Sequence, residues 1–84
     1  MKSWKEYQDV AYMCVKGKYG KSRERIRRLK AQGYSPEHVS GIISEWYKIA
    51  NAVIDGKYGS NWEDKISALG HNPRYVQEVI NRLF

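Results

Sequence analysis

The sequence contains a single cysteine, Cys14, so no disulfide can form within these 84 residues. Its neighbours Ala11, Met13 and Val15 are apolar, and we expect Cys14 to be a small buried residue. No apolar run approaches the roughly 18 residues that a membrane-spanning helix needs. The N-terminal residues 1–6 lack the apolar stretch of a secretory signal. We therefore expect a protein that is made in the cytoplasm without a signal peptide and that has no membrane partner.

Recognisable catalytic and metal-binding motifs are also missing. The sequence has no Gly-x-Ser-x-Gly elbow, P-loop or His-Glu-x-x-His motif. His38 and His71 stand far apart, with no cysteine or carboxylate pair at ligand spacing, which gives a zinc site no support. Glu24, Glu63 and Asp64 fall on helices too short to form the cleft of a glycosidase. We expect no catalytic activity, no metal and no cofactor.

Negative charge is scarce relative to positive charge. Fifteen Lys and Arg residues against nine Asp and Glu give a formal net charge of +6, and most of the excess lies between Lys16 and Lys30. A basic patch of this kind indicates an anionic partner such as nucleic acid, an acidic polymer or a carboxylated glycan. The alternative is a solvated helix face without a partner.

Two short segments of the sequence occur twice. Gly17–Gly20 reads Gly-Lys-Tyr-Gly, and the same four residues return 39 positions later at Gly56–Gly59. Gly33–Pro36 reads Gly-Tyr-Ser-Pro and returns 37 positions later as Gly-His-Asn-Pro at Gly70–Pro73. Self-similarity at a period of roughly 20 to 50 residues indicates small supersecondary units stacked on one another. A short chain built from two such units is more typical of a binder than of an enzyme.

Every signal of secondary structure in the sequence is helical. Ser3 and Glu6 have the spacing of a capping box at a helix start. Both prolines, Pro36 and Pro73, follow a capping residue and so favour the first position of a helix. Apolar residues recur at steps of three and four, and glycines follow each apolar stripe where a helix is expected to end. Strand signals are absent.

The basic segment after the first Gly-Lys-Tyr-Gly is expected to form a surface helix. Ser22 is the expected cap of this helix. Its expected buried side chains are Ile26, Leu29 and Ala31, which leaves the arginines facing outward.

The apolar stripe that starts at Pro36 runs without a break to about Asp55, across the boundary between the two copies. We therefore expect one shared helix over this range, and a kink near Lys48 is the alternative. The predicted fold is all-α, with two tandem three-helix units that share a long central helix, about five helices and no sheet. The predicted domains are residues 1–47 and residues 48–84, the second being shorter and packed on the first.

Aromatic and guanidinium groups supply the candidate binding chemistry. Tyr19 and Tyr58 each stand between glycines, which suits stacking on a sugar ring, an acyl group or a base; the alternative is that each ring plugs a corner between helices. Arg25 and Arg28 lie one helical turn apart, and paired guanidiniums suit bidentate recognition of carboxylate or phosphate. The alternative for Arg28 is a solvated ion pair with Glu24.

These motifs, in this order and at this spacing, resemble the short cell-wall-binding repeat of choline-independent phage lysozymes and other endolysins. The family pattern is Gly-x-aromatic-Gly, then Glu-Arg-x-x-Arg-Leu, then Ala-x-Gly-Tyr or a close variant. The matching residues of the first copy are Gly17–Gly20, Glu24-Arg25, Arg28-Leu29, Gly33-Tyr34 and Val39. The matching residues of the second copy are Val53-Ile54, Gly56–Gly59, Glu63, Gly70, Val76-Gln77 and Asn81.

The resemblance implies a non-catalytic module that binds bacterial peptidoglycan, chiefly the disaccharide with its first stem-peptide residues. It also implies a hydrolase domain or a separate hydrolase chain as a partner. The expected ligand-binding residues are Tyr19, Gly20, Arg25, Arg28 and Tyr34 in the first copy, and Tyr58 and Trp62 in the second. In the second copy a two-residue deletion removes the arginine pair, and His71 replaces the tyrosine.

Two other functions compete with wall binding. A small cytoplasmic phage accessory protein would bind nucleic acid or a protein partner through the basic helix 21–30. A homo-oligomer would use Trp4, Trp46 and Phe84 as its interface. Wall binding is the leading interpretation, and it puts the site of action at the bacterial cell wall.

Overall fold

The computed structural model describes residues 2–83. Within that range the protein is all-helical, without strands, as the sequence predicts. The five helices are α1 (Trp4–Val15), α2 (Ser22–Ala31), α3 (Pro36–Ile54), α4 (Trp62–Ala68) and α5 (Pro73–Leu83). The chain divides into two compact units, with the division between Ile43 and Ser44. The first unit holds α1, α2 and the start of α3, and the second holds the rest of α3 with α4 and α5.

Local capping signals set the helix starts. The Ser3 hydroxyl accepts the Glu6 amide at 3.1 Å, and the Glu6 carboxylate accepts the Ser3 amide at 2.9 Å, which completes the predicted capping box of α1. The Ser35 hydroxyl accepts the His38 amide at 3.3 Å at the start of α3. The Asn72 carboxamide oxygen accepts the Arg74 amide at 2.9 Å at the start of α5. Three of the five helices therefore begin where a side chain satisfies an orphan amide.

The helix α3 runs from Pro36 to Ile54 as one element of 19 residues, which is about 28 Å at 1.5 Å per residue. This agrees with the prediction of one continuous helix from about Pro36 to Asp55. The division between the two units falls inside α3, so each unit contains part of it.

The two units bury side chains at equivalent positions of the repeat. The buried apolar residues of the first unit are Val10, Ala11, Cys14, Leu29, Val39 and Ile42. The buried apolar residues of the second unit are Trp46, Ile49, Ala50, Ile66, Val76 and Val79. Five pairs in these two sets, among them Val10 with Ile49 and Leu29 with Ile66, are related by the same shifts of 39 and 37 positions that relate the repeated glycines. The repeat is therefore a repeat of core positions as well as of loop residues.

The second helix departs from its prediction at both its start and its inner face. Ser22 does not cap α2: it is the first residue of the helix, with a φ of +47°, and the preceding Lys21 provides no side-chain cap. Ile26 is 43% exposed and Ala31 is also exposed, whereas Leu29 is fully buried as predicted. The reason is rotational: the buried side of α2 is centred near Leu29, and Ile26 lies about 60° away around the helix, at its edge. Arg25 lies about 40° from Leu29 on the other side and is half-buried rather than facing outward as expected. Of the residues assigned to an oligomer interface, Trp4 is 43% exposed, Trp46 is buried and Phe84 lies outside the described residues.

Candidate functional site

The first Gly-Lys-Tyr-Gly loop is built on the C-terminal end of α1. Gly17 has a φ of +81° and donates its amide to the Cys14 carbonyl at 3.0 Å. Lys18 donates to the Met13 carbonyl at 3.0 Å, and the two bonds together form a Schellman motif. Gly20, with a φ of +79°, then donates to the Gly17 carbonyl at 3.3 Å and closes the loop. The glycines are needed because left-handed backbone is costly for other residues.

The second loop reproduces this geometry bond for bond. Gly56 donates to the Val53 carbonyl at 3.0 Å and Lys57 donates to the Ala52 carbonyl at 2.9 Å. Gly59 donates to the Gly56 carbonyl at 3.2 Å. The φ values of Gly56 and Gly59 are +79° and +73°, close to those of their counterparts. The repeated tetrapeptide is thus one structural device used twice.

Tyr19, the aromatic residue of the first loop, is half-buried. Its hydroxyl donates a hydrogen bond to the Gln32 side-chain oxygen, just beyond the end of α2. Burial, with a smaller contribution from Tyr34, raises the pKa of the Tyr19 phenol. The phenol therefore remains protonated at neutral pH and can serve as a donor.

Arg28 lies beside Tyr19 and holds the loop in place. Its guanidinium donates to the Lys18 carbonyl at 3.3 Å and pairs with the Glu24 carboxylate at 3.3 Å. The side chains of Arg28 and Glu24 are 52% and 46% exposed, so this ion pair contributes little to stability. The two predicted site residues Tyr19 and Arg28 line one open groove of about 180 Å³. Its other lining residues are Met13, Lys18 and Gln32.

Gly20 is one of the ligand-binding residues that the resemblance implies, and in the structure it lies beside Glu24. The space that a Cβ would occupy there is filled by the carboxylate of Glu24. The corresponding Gly59 has no neighbouring atom within 4 Å of that position. Glycine is therefore required at position 20 for two reasons, the positive φ and the space occupied by Glu24, whereas at Gly59 only the positive φ requires it.

Arg25 points into a different groove, between α2 and the start of α3. This groove has a volume of about 390 Å³. Its lining residues are Ser22, Arg25, Ile26, Pro36, Glu37 and Ser40. Arg25 is half-buried, and its guanidinium makes no ion pair or hydrogen bond with any of residues 2–83. Hydrogen bonds from its own backbone amide and from the Ser35 hydroxyl lower the pKa of the neighbouring Glu37 carboxyl.

Tyr34 belongs to an aromatic cluster of the first unit. Its ring meets the Tyr7 ring edge to face at a centroid distance of 5.1 Å, and the Lys2 ammonium lies 4.8 Å from its centroid. The His38 ring stacks on Tyr7 at 4.3 Å. The Tyr7 hydroxyl accepts the Ser35 amide at 2.9 Å. Burial, then the nearby Glu6 and Asp9 carboxylates, raises the pKa of Tyr34.

The second unit holds its loop with a different cation. The Lys65 ammonium donates to the Tyr58 carbonyl at 2.8 Å. Lys65 stands 37 positions after Arg28, the shift that relates α2 to α4, so the two cations are equivalent. Tyr58 is half-buried, and so is Trp62, the first residue of α4. Sequence reasoning noted the lost arginine pair but missed Lys65, which the shift of 37 would have revealed.

A second aromatic cluster was also missed. The fully buried Trp46 donates its indole N–H to the His71 Nδ1 at 3.1 Å and meets the Tyr75 ring at a centroid distance of 5.6 Å. By the shifts of 39 and 37, these residues are equivalent to Tyr7, Tyr34 and His38. Each unit therefore carries three aromatic or imidazole rings at the same three positions, with different residue types. The sequence could have indicated this second cluster, because each ring of the first unit has a ring-bearing residue at the position related to it by the shift of 39 or 37.

Other chemistry is limited in the part of the chain that the structure describes. Residues 2–83 contain no cluster of three or more His, Cys, Asp or Glu side chains able to hold a metal ion. None of the described helices is long and apolar enough to span a bilayer. Cys14 is buried, and burial raises the pKa of its thiol, which keeps it in the unreactive protonated form at neutral pH.

Comparison with protein-family models, with curated proteins and with solved structures gives no match for this chain. The arrangement of the site itself must therefore indicate function. Of the four larger candidate side chains in the first copy, Tyr19 and Arg28 share a groove, Arg25 lines another groove, and Tyr34 packs in the aromatic cluster. The α2 helix contributes a guanidinium to each of the two grooves.

Proposed function

We propose that this protein is a non-catalytic module that binds bacterial peptidoglycan at the cell wall. The observation that carries the proposal is the combination of Tyr19 and Arg28 in one groove beside a loop whose geometry is repeated in the second unit. An aromatic face suits the apolar face of a sugar ring, and a guanidinium suits a carboxylate. Peptidoglycan offers both groups in each repeating unit.

The neighbouring groove supports the same ligand class. Arg25 is half-buried and lacks an anionic partner within residues 2–83, although a guanidinium remains charged at all ordinary pH values. A carboxylate on a ligand would supply the missing bidentate partner. We assign the Tyr19 groove to a sugar ring and the Arg25 groove to a stem-peptide carboxylate, with α2 between them.

The size of the Tyr19 groove suggests weak binding at a single site. Its volume of about 180 Å³ lies below the range of about 300 to 1,000 Å³ that is typical of pockets for drug-sized ligands. Weak sites gain strength when several engage one polymer, because each later contact is intramolecular. A hydrolase domain or chain, or a further copy of this protein, is the partner that we expect to supply additional contacts.

The test is co-sedimentation of the purified chain with peptidoglycan sacculi stripped of other wall polymers, at low and at high salt. We expect pelleting that survives high salt and is lost in Tyr19→Ala and in Arg25→Ala. Tyr19→Phe keeps the ring and removes only the hydrogen bond to Gln32, so this variant should still pellet. Tyr58→Ala makes the same truncation in the second loop and shows whether the second unit contributes.

Folding must be separated from binding in these variants. Circular dichroism spectra and thermal unfolding of each variant provide the check, with Lys48→Ala as a matched exposed substitution outside the site. Failure of the wild-type chain to pellet with sacculi of several chemotypes would overturn the proposal. If the folded Tyr19→Ala and Arg25→Ala variants pellet as well as the wild type, the grooves at Tyr19 and Arg25 are not the wall-binding site.

A further inference from the structure

The outward face of α2 carries a stripe of three cations. Arg23, Arg27 and Lys30 are spaced by four and three residues, which places them within about 60° of one another around the helix at 100° per residue. The three side chains are all exposed. Along the axis their Cα positions span about 10 Å. We call Arg23, Arg27 and Lys30 the outer stripe.

Within residues 2–83 no carboxylate forms an ion pair with the outer stripe, and the one electrostatic interaction with an acidic group is the longer-range effect of Lys30 on the Glu37 carboxylate of α3. Glu24 is the only carboxylate on α2, and it pairs with Arg28 at 3.3 Å. None of the three cations of the stripe makes an ion pair or hydrogen bond within the described residues 2–83. Three adjacent positive charges repel one another, and an external anion would remove that repulsion.

The outer stripe is separate from both grooves. Counting 100° per residue, Arg28 lies about 140° and Arg25 about 200° around the helix from Arg23. None of the three stripe residues lines either groove. A ligand on the stripe would therefore leave the grooves accessible.

We infer that the outer stripe binds a linear phosphodiester polymer attached to the wall glycan, of the poly(glycerol phosphate) type. The inference rests on the proposed wall-binding function. Guanidinium and ammonium groups in a row suit successive phosphates along a chain. The helix has no aromatic residue on which a nucleobase could stack, so recognition through the stripe depends on the charged backbone alone.

The position of the stripe favours a wall polymer over nucleic acid. The stripe and the guanidiniums of both grooves belong to one helix of 10 residues. Ligands bound to these faces must therefore lie within a few nanometres of each other. Phosphodiester chains attached to the peptidoglycan satisfy that requirement, because both ligands then belong to one polymer network and their binding reinforces each other.

The test compares three probes: stripped sacculi, sacculi that retain poly(glycerol phosphate), and the purified polymer. The stripe variant is Arg23→Gln, Arg27→Gln and Lys30→Gln together. The charge-matched control is Lys48→Gln, Arg74→Gln and Arg82→Gln together, which removes three exposed cations from the second unit, all outside its glycine loop. For three phosphate contacts, affinity of the wild-type chain for the polymer should fall about 15- to 40-fold between about 50 and 200 mM salt, by analogy with nucleic acids.

We expect the stripe variant to lose binding to the purified polymer and to keep binding to stripped sacculi, while the control variant keeps both. Equal polymer binding by the wild type and the folded stripe variant would overturn the inference. So would an equal loss in the control variant, because the effect would then follow net charge rather than the stripe. Tighter, stripe-dependent binding to a short DNA duplex than to the polymer would reassign the surface to nucleic acid.

The two proposals fail separately in this design. If the wild-type chain binds the purified polymer but not stripped sacculi, the proposed function is wrong and stripe-dependent polymer binding stands. If the wild-type chain binds stripped sacculi but not the polymer, the inference is wrong and the grooves remain the proposed wall-binding site.

Discussion

The indole Nε1 of Trp46 donates a hydrogen bond to Nδ1 of His71 at 3.1 Å, and the tryptophan is fully buried. His71 can accept this bond only while Nδ1 carries no proton. Burial lowers the pKa of His71 below its ordinary value of 6.5, and the opposing effect of the Glu45 carboxylate is smaller. The core of the second unit thus depends on a neutral imidazole.

The second unit should lose stability in mild acid. Because the folded-state pKa of His71 lies below the unfolded one, protonation favours the unfolded state; the stabilising contribution is complete above about pH 6.5 and is lost as pH falls through the lowered pKa. Loss of the acceptor leaves a buried indole N–H unpaired, which costs about 1–3 kcal/mol. The measurement is residue-resolved amide hydrogen exchange above and below pH 6.5, corrected for the intrinsic exchange rate at each pH. When the pH is lowered, protection against exchange should decrease more in the second unit than in the first. The His71→Asn variant should not show this added pH dependence, and an equal response in both units would contradict the assignment.

Replacement of Tyr7 by phenylalanine should destabilise the first unit. The variant keeps the ring contacts with Tyr34 and His38 but loses the hydroxyl that accepts the Ser35 amide at 2.9 Å. We expect a decrease of about 1 kcal/mol in the free energy of unfolding, measured by urea denaturation. Tyr47→Phe is the matched control, because the Tyr47 hydroxyl makes no hydrogen bond among the described residues. Similar losses in the two variants would show that the Ser35 bond has no special contribution.

Alanine substitutions at Gly20 and Gly59 should differ in a defined way. Both positions have positive φ, so each substitution costs about 1–2 kcal/mol of stability from backbone conformation. Only at Gly20 does the new methyl group also displace the Glu24 carboxylate and its ion pair with Arg28, which adds a few tenths of a kcal/mol. Thermal unfolding should show that the added loss disappears when Gly20→Ala is made in a Glu24→Ala background. A larger loss at Gly59 would contradict this account.

Removal of the Lys65 ammonium should loosen the second loop without unfolding the unit. The Lys65→Met variant loses the 2.8 Å hydrogen bond to the Tyr58 carbonyl but keeps most of the aliphatic stem. We expect amide exchange to accelerate at Gly56–Gly59, with a change in global stability within about 0.5 kcal/mol. Lys57→Met removes an exposed ammonium from the loop itself and should leave exchange there unchanged, because Lys57 has no such side-chain contact. Equal acceleration in both variants would rule out an anchoring role for Lys65.

Helix bounds were predictable because local chemistry determines them. The capping box at Ser3 and Glu6, and the left-handed glycines Gly17 and Gly56, depend only on residues within one turn of the helix end. The start of α2 was not predictable by the same rule. The backbone at Ser22 takes a positive φ after a loop that is fixed by other residues.

Contacts between distant residues were less accessible from the sequence. Tyr19 and Arg28 were both named as site residues, and they do share a groove, but no spacing rule indicates that Arg25 lines a different one. The Trp46–His71 bond joins residues 25 positions apart and arises only when α3, α4 and α5 pack together. Such pairs depend on tertiary packing, which single-sequence periodicity does not specify.

The three tryptophans occupy three different surroundings. Trp46 is fully buried against an imidazole, Trp62 is half-buried, and Trp4 is 43% exposed in the other unit. Indole emission lies at shorter wavelength in dry surroundings, and a protonated imidazole quenches a neighbouring indole. The blue side of the emission spectrum therefore reports on Trp46 in the second unit, and the red side is dominated by the more accessible Trp4 and Trp62. Opening of one half of the molecule can thus be followed optically, without any added label.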